Sequence, residues 1–165
     1  MNKKVCMIGA FAAGKTSLVQ RFAKGVFSEK YHTTVGVRIE KKSLEVDGTE
    51  MTFILWDLHG EDDFQKVRVN YLKGAAGCFY VVDGTRAETV SVALDLIERV
   101  RVEHPNLASI ILLNKIDCDT IWELADHDFN RLEESGTPIM RVSAKTGESV
   151  DEAFMTLGRH MLGGT

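Results

Sequence analysis

Proline is nearly absent from this chain: Pro105 and Pro138 are the only two in 165 residues, and no repeat or low-complexity stretch surrounds them. Collagen-like, solenoid and proline-rich linker architectures are thereby excluded. Cysteine is as scarce. Cys6, Cys78 and Cys118 are odd in number and lack metal-binding spacing, so neither a disulfide framework nor a zinc module organises the fold. The five histidines show no zinc-type spacing either. The longest apolar runs, residues 78–82 and 110–113, are too short to cross a bilayer. The opening MNKKVCMIGAF lacks the apolar core of a signal peptide, and Asn2 stands where myristoylation needs glycine. Basic charge is not in excess: the net charge is -4 and the basic pairs (Lys3 and Lys4, Lys41 and Lys42, Arg99 and Arg101) are scattered. No nucleic-acid partner is expected. Reduced cysteines point to a cytoplasmic protein.

What is present is an alternation of short apolar runs with amphipathic segments, the pattern of an α/β parallel sheet. Residues 5–8 read as a strand, and a helix follows from Lys15 through Leu18, Val19 and Phe22. Residues 37–46 and 51–57 read as a hairpin turned by Asp47-Gly48. Residues 78–83, 109–114 and 139–143 are three further strands, with Cys6 and Cys78 buried as small hydrophobes. From Ser149, the positions Val150, Ala153, Phe154, Leu157 and Met161 line one face of a last helix. With 44% apolar residues, the chain can build one full core, and residues 1–165 are expected to form a single domain.

Four short motifs carry chemistry. GAFAAGKT (residues 9–16) lies between a strand and a helix and fits GxxxxGK[ST]. Its glycines permit a loop whose backbone N–H groups, from Ala12, Ala13 and Gly14 through Lys15, Thr16 and Ser17, face a polyphosphate at the start of a helix. Lys15 is expected to bridge the β- and γ-phosphates and the Thr16 hydroxyl to ligate magnesium. LWDLHGED (residues 55–62) ends a strand at Asp57, from which a carboxylate reaches a magnesium-bound water. Gly60 presents a bare N–H to a γ-phosphate. NKID follows the apolar strand IILL: Asp117 can accept from both N1–H and the 2-amino group of guanine, which adenine cannot match. The Lys115 stem can lie over the base and Asn114 can tie this loop to the phosphate loop. SAK (Ser143, Ala144, Lys145) follows the next strand and can offer the Ala144 N–H to guanine O6. The expected ligands are GTP or GDP with Mg²⁺.

In this order and spacing the motifs resemble those of a Ras-superfamily small GTPase, along the whole chain. YHTTVGVRI (residues 31–39) and NYLKGAAG (residues 70–77) resemble Rab segments, whereas the AAGKT of the phosphate loop resembles the Arf type. The resemblance implies a P-loop three-layer sandwich, with a six-stranded, mostly parallel mixed sheet and about five helices. It also makes Thr34 a magnesium ligand and γ-phosphate sensor, Phe27 the aromatic at the guanine edge, and Tyr31 the tyrosine closing over the phosphates. Glu61 occupies the place where Ras and Rab proteins carry the catalytic glutamine; with Lys15 and Gly60 it forms the implied catalytic set. Other departures are bulky Phe11 in the phosphate loop, Arg38 in the first switch and His59. The sequence ends LGGT without a prenylation cysteine, so no direct lipid anchor is expected. The implied activity is a slow GTPase switch in a monomer that meets effectors and regulators near Thr34 and Gly60. A GTP-binding interaction module with negligible hydrolysis, suggested by Glu61 and Phe11, is the alternative.

Overall fold

The computed structural model describes residues 1–25, 36–59 and 69–163. Six strands form one sheet in the order β2-β3-β1-β4-β5-β6. They are β1 (Asn2–Gly9), β2 (Gly36–Val46), β3 (Thr49–His59), β4 (Gly77–Asp83), β5 (Ala108–Asn114) and β6 (Ile139–Arg141). All neighbours run parallel except β2, which pairs antiparallel with β3 at one edge. Four α-helices lie among the described residues: α1 (Lys15–Lys24), α2 (Glu88–Glu103), α3 (Asp126–Glu134) and α4 (Val150–Met161). Two short 3-10 turns, Val69–Leu72 and Asp119–Ile121, accompany them.

The hairpin forms where the sequence demands it. Asp47 and Gly48 have φ of 48° and 82°, the pair of positive values that a tight two-residue turn needs. Val46 therefore faces Thr49, and the register runs on to Gly36 opposite His59. β1 is longer than its apolar run: polar Asn2, Lys3 and Lys4 pair with Thr52, Phe53 and Ile54 because the neighbouring strand supplies the ladder. β6 is shorter than expected. Val142 still bonds to Leu113 O (2.8 Å), after which the chain turns away toward the site described below.

Alternation along the central strands feeds two cores. On one face Val5, Met7, Phe79, Val81, Ile110 and Leu112 pack against α1 and α4. On the other Cys6, Ile8, Tyr80, Val82, Ile111 and Leu113 pack against α2 and α3. Cys6 and Cys78 are cross-strand neighbours and both are fully buried. Desolvation pushes the Cys6 thiol up to about 12 and Cys78 well above its ordinary value, so both behave as inert hydrophobes. The first core centres on Phe154, stacked on Phe22 at 3.8 Å and tilted against Phe79 and Phe53 at 4.7 and 6.2 Å.

This cluster joins α1, α4 and the sheet. Truncating Phe154→Ala is expected to cost about 3–5 kcal/mol of stability, by lost burial and a residual cavity. Urea unfolding of parent and variant measures it; a difference under about 1 kcal/mol would show that the aromatic cluster does not hold the layers together.

Candidate functional site

Parallel register brings four strand ends to one edge. Met7 pairs with Asp57 and with Phe79, Gly9 with Val81, and Asp83 with Asn114. β1 lies between β3 and β4, so the chain leaves it toward one side of the sheet and returns on the other. Ligand crevices form at such a point, outside the carboxyl ends of the strands. Apart from Asp128, which accepts from the Ala125 N–H at the start of α3, the buried polar side chains among the described residues gather there: Lys15, Asp57, Asp83, Asn114, Ser143 and the neighbouring Thr89 are each at most 6% exposed. Burying so many polar groups together is costly unless they serve one another or a ligand.

Residues 9–14 form an open loop that ends in α1. Ala12 and Gly14 take positive φ (59° and 103°), and the Leu18 N–H bonds to Gly14 O at 2.9 Å as the helix begins. Within the expected row of donors, the Ala13 N–H is engaged with Ala10 O at 3.2 Å. Thr16 and Ser17 stand in the first turn of α1, half-buried. The Lys15 ammonium folds back over the loop and donates to Gly9 O (3.0 Å) and Ala10 O (2.8 Å). Burial pushes its pKa down to about 8; Asp57 opposes that shift and Arg86 adds to it. A buried cation whose hydrogen bonds among the described residues go to carbonyls is a seat for an anion.

Beside it, the Thr16 hydroxyl donates to Asp57 Oδ2 at 2.6 Å. Two hard oxygens at the phosphate end of the site fit Mg²⁺, which takes one or two protein oxygens and completes its shell with phosphate and water. Among the described residues no group of three or more His, Cys, Asp or Glu could form an all-protein cage.

Asn114 at the end of β5 joins two loops. Its Nδ2 donates to Ala13 O and its Oδ1 accepts from the Ala144 N–H, both at 3.1 Å. The tie to the phosphate loop agrees with the sequence reading; the Ala144 N–H, expected to face a purine oxygen, is instead bonded to Asn114. Gly14 makes the approach possible, since a Cβ there would collide with the Asn114 amide. Asp117 accepts from Ser143 Oγ (2.6 Å) and from Cys118 Sγ (3.4 Å). Desolvation raises the Asp117 pKa, but these hydrogen bonds outweigh it and hold the carboxyl below its ordinary value. It is therefore an ionised acceptor at neutral pH. Lys145 is exposed, and its carbonyl, with that of Ala144, is held by Arg21 of α1 at 2.5 and 2.8 Å.

Sequence reasoning missed three residues. Arg21 clamps the SAK loop, as above. Asp83, fully buried at the end of β4, pairs with Lys115 Nζ at 2.7 Å. Arg86 donates to Phe11 O at 2.8 Å, below an exposed Phe11 ring. Of these, Asp83 alone carried a signal: like Asp57, it is a carboxylate closing an apolar strand. Phe27, Tyr31, Thr34, Gly60 and Glu61 lie outside the described residues.

Residues 4–163 match the family model described as "Ras family". The chain is similar to the Ras-related protein SEC4 of Saccharomyces cerevisiae, 32% identical over 94% of this chain and 73% of that protein. It is also similar to the GTP-binding protein ypt2 of Schizosaccharomyces pombe, 30% identical over 96% and 80%. The human Ras-related protein Rab-4B is 32% identical over 96% and 76%.

The lowered Lys15 pKa gives binding a pH signature. The unfolded chain keeps this proton up to about 10.5 and the folded chain only to about 8, so the cost of burying the charge is relieved as pH rises between them. An anion on the ammonium reverses the preference. GDP affinity should be flat below about pH 8 and then fall, approaching tenfold per unit, as binding has to take up a proton. Titrations from pH 7 to 9 on the parent and on Lys15→Arg, whose guanidinium does not titrate there, check this; parallel curves would assign the dependence to another group.

Proposed function

The chain belongs to the Ras family, and from that premise we propose how its own residues perform the family's work. It is a GTP-binding molecular switch with GTPase activity. Family members of this kind act through effector and regulator proteins. The residue roles, the metal, the contact surface and the location that follow are our reading.

Residues 1–165 act as one nucleotide-binding domain. Guanine nucleotide lies along the carboxyl edge, its phosphates over the loop from Ala12 to Ser17. The observation that carries this reading is the Asn114 amide, which bonds Ala13 of the phosphate loop and Ala144 of the SAK loop at 3.1 Å each. One side chain thus sets the distance between base and phosphate subsites. Asp117 accepts from the guanine N1–H and 2-amino group, and the Lys115 stem covers the base. Ala144 N–H, while held by Asn114 Oδ1, is shared with guanine O6. Phe27 packs at the base edge and Tyr31 closes over the phosphates.

Thr16, Thr34 and, through a water, Asp57 would hold Mg²⁺, which neutralises charge on the β- and γ-phosphates when bound. Lys15 keeps its ammonium on the same oxygens. Glu61 accepts a hydrogen bond from a water aligned with the γ-phosphorus. As water oxygen bonds to phosphorus, the bond to the β-phosphate oxygen breaks, giving GDP, phosphate and a proton. Lys15 and the loop N–H groups stabilise the charge on the leaving oxygen. An ionised carboxylate lacks the donor of a glutamine amide and adds repulsion near the γ-phosphate, so turnover is slow. Loss of the γ-phosphate releases Thr34 and Gly60, which is the switch.

Partners bind where those segments meet the sheet. Ile39 is 48% exposed and stands opposite Trp56, whose ring lies 6.4 Å from Tyr71, so an apolar strip borders the switch region. Arg38 is paired with Glu40 at 3.4 Å beside it. No described helix is long and apolar enough to cross a membrane. We read the protein as a cytoplasmic monomer.

Nucleotide extracted from the purified protein should be GDP or GTP. Asp117→Asn should lose guanine nucleotides, which a carboxylate placed to accept guanine's paired donors prefers by about 10⁴-fold or more over adenine nucleotides. It should gain xanthosine nucleotides, because the amide NH₂ can donate to the C2 carbonyl. Competition binding decides, and equal parent affinity for GTP and ATP would end the guanine assignment. For hydrolysis, Glu61→Gln and Phe11→Gly are expected to alter single-turnover rates, with Phe11→Gly opening the approach for a partner's arginine, worth about 10³- to 10⁵-fold where it operates. Unchanged rates in both variants, with and without a candidate activator, would move the hydrolytic centre elsewhere.

A further inference from the structure

We propose that Asp83 couples the base and phosphate subsites by holding Lys115 and Arg86 at once. The inference rests on the nucleotide site read above and assigns a positioning role to two residues outside its motifs.

Asp83 is fully buried, and its two oxygens are used differently. Oδ1 accepts from the Thr85 N–H at 2.9 Å and the Thr85 hydroxyl at 2.6 Å, which folds the chain into a tight turn after β4. Oδ2 faces cations: Lys115 Nζ at 2.7 Å and Arg86 Nη1 at 4.0 Å. The first is a charge-assisted hydrogen bond and the second a purely electrostatic contact. The same Arg86 Nη1 donates to Phe11 O at 2.8 Å, while Nε pairs with Glu88 at 3.1 Å. One carboxylate oxygen therefore anchors a cation that reaches the base loop and another that reaches the lip of the phosphate loop.

The surroundings keep this carboxylate in place. The Asp83 N–H bonds to buried Thr89 Oγ1 at 3.0 Å, and the Gly84 N–H to Asn114 O at 3.1 Å. Trp122 lies flat against Gly84, where any Cβ would strike its ring. Lys115 itself holds a φ of 70°, a strained value for a residue with a side chain, so its placement depends on a strong partner. In Asp83→Asn the Oδ1 acceptor survives for Thr85, but Oδ2 becomes an NH₂ that repels both cations. Lys115 would leave the base and Arg86 would loosen Phe11.

The test is a comparison of GDP, GMP and ADP affinities in the parent, Asp83→Asn, Arg86→Gln, Arg86→Lys and the double variant Asp83→Asn/Arg86→Gln, with thermal unfolding of each. Asp83→Asn should weaken GDP binding about 10- to 100-fold, the worth of a charge-assisted contact. It should also shrink both the GDP preference over GMP and that over ADP. Arg86→Gln should shrink the preference over GMP, and Arg86→Lys should restore part of it. The double variant should be no more than about twofold weaker than Asp83→Asn, because both changes act through one oxygen. If the two effects simply multiply, or if Asp83→Asn alters base preference alone, the coupling is refuted. Should Asp83→Asn not fold, Lys115→Met and Arg86→Gln, both on part-exposed side chains, form an equivalent cycle. Additivity between them is then the refuting result. Asp117→Asn run alongside separates the two readings: if it loses GDP while the Asp83 and Arg86 variants bind like the parent, only the coupling falls. If it too binds GDP normally, the nucleotide site falls.

Discussion

The buried amide of Asn114 holds together two loops that come from opposite ends of the chain. Its donor and its acceptor are both consumed, by Ala13 O and the Ala144 N–H, and leaving either partner unpaired in the dry edge would cost about 1–3 kcal/mol. The amide can reach the phosphate loop only because Gly14 has no side chain. It stands at the right height only because β5 pairs Asn114 with Asp83 in parallel register. Backbone ladder, glycine and amide thus fix one another, and the separation of the two loops follows from strand geometry.

Much of this was legible in the sequence, for identifiable reasons. GAFAAGKT and NKID are local: each places its residues by the turn it forms, and each closes an apolar strand. Asp-Gly between the two runs located the hairpin's turn at Asp47-Gly48, while the strands run from Gly36 and on to His59, past the expected 37 and 57. Strand ends were harder. Asn2 to Lys4 form ladder bonds that polarity does not announce, and Val142 leaves β6 before the apolar run is over. Arg21 and Arg86 were invisible because their partners, Ala144 and Phe11, lie 123 and 75 positions away and are carbonyls, which have no signature in sequence. The occupied Ala144 N–H was equally hidden. The roles of Phe27, Tyr31, Thr34 and Glu61 came from resemblance alone.

The charges at the edge are arranged unevenly. Lys115 and Arg86 share a carboxylate, whereas Lys15, the most buried of the three cations, leans on two backbone carbonyls. Carbonyl dipoles compensate a buried ammonium less fully than an anion does, and burial lowers the Lys15 pKa although nearby Asp57 opposes the shift. Asp117, by contrast, is held ionised by hydrogen bonds from its own neighbours. On the reading proposed above, the phosphate end gains from a ligand's charge and the base end is prepared in advance to read hydrogen-bond donors.

Trp122, lying on Gly84, has a practical meaning of another kind. The chain has only two tryptophans, and they sit at different ends of the working edge: Trp122 beside the turn that carries Asp83, and Trp56 near Tyr71 and the exposed Ile39. Indole emission depends on local polarity and nearby charge, and each ring has its own: Lys4 rests 3.7 Å over Trp56, while Trp122 stacks near Phe129. Replacing either ring with phenylalanine leaves a single indole, which can be excited apart from the three tyrosines. The protein thereby carries its own pair of optical probes, one beside the turn that holds Asp83 and one beside the exposed Ile39, with no dye attached.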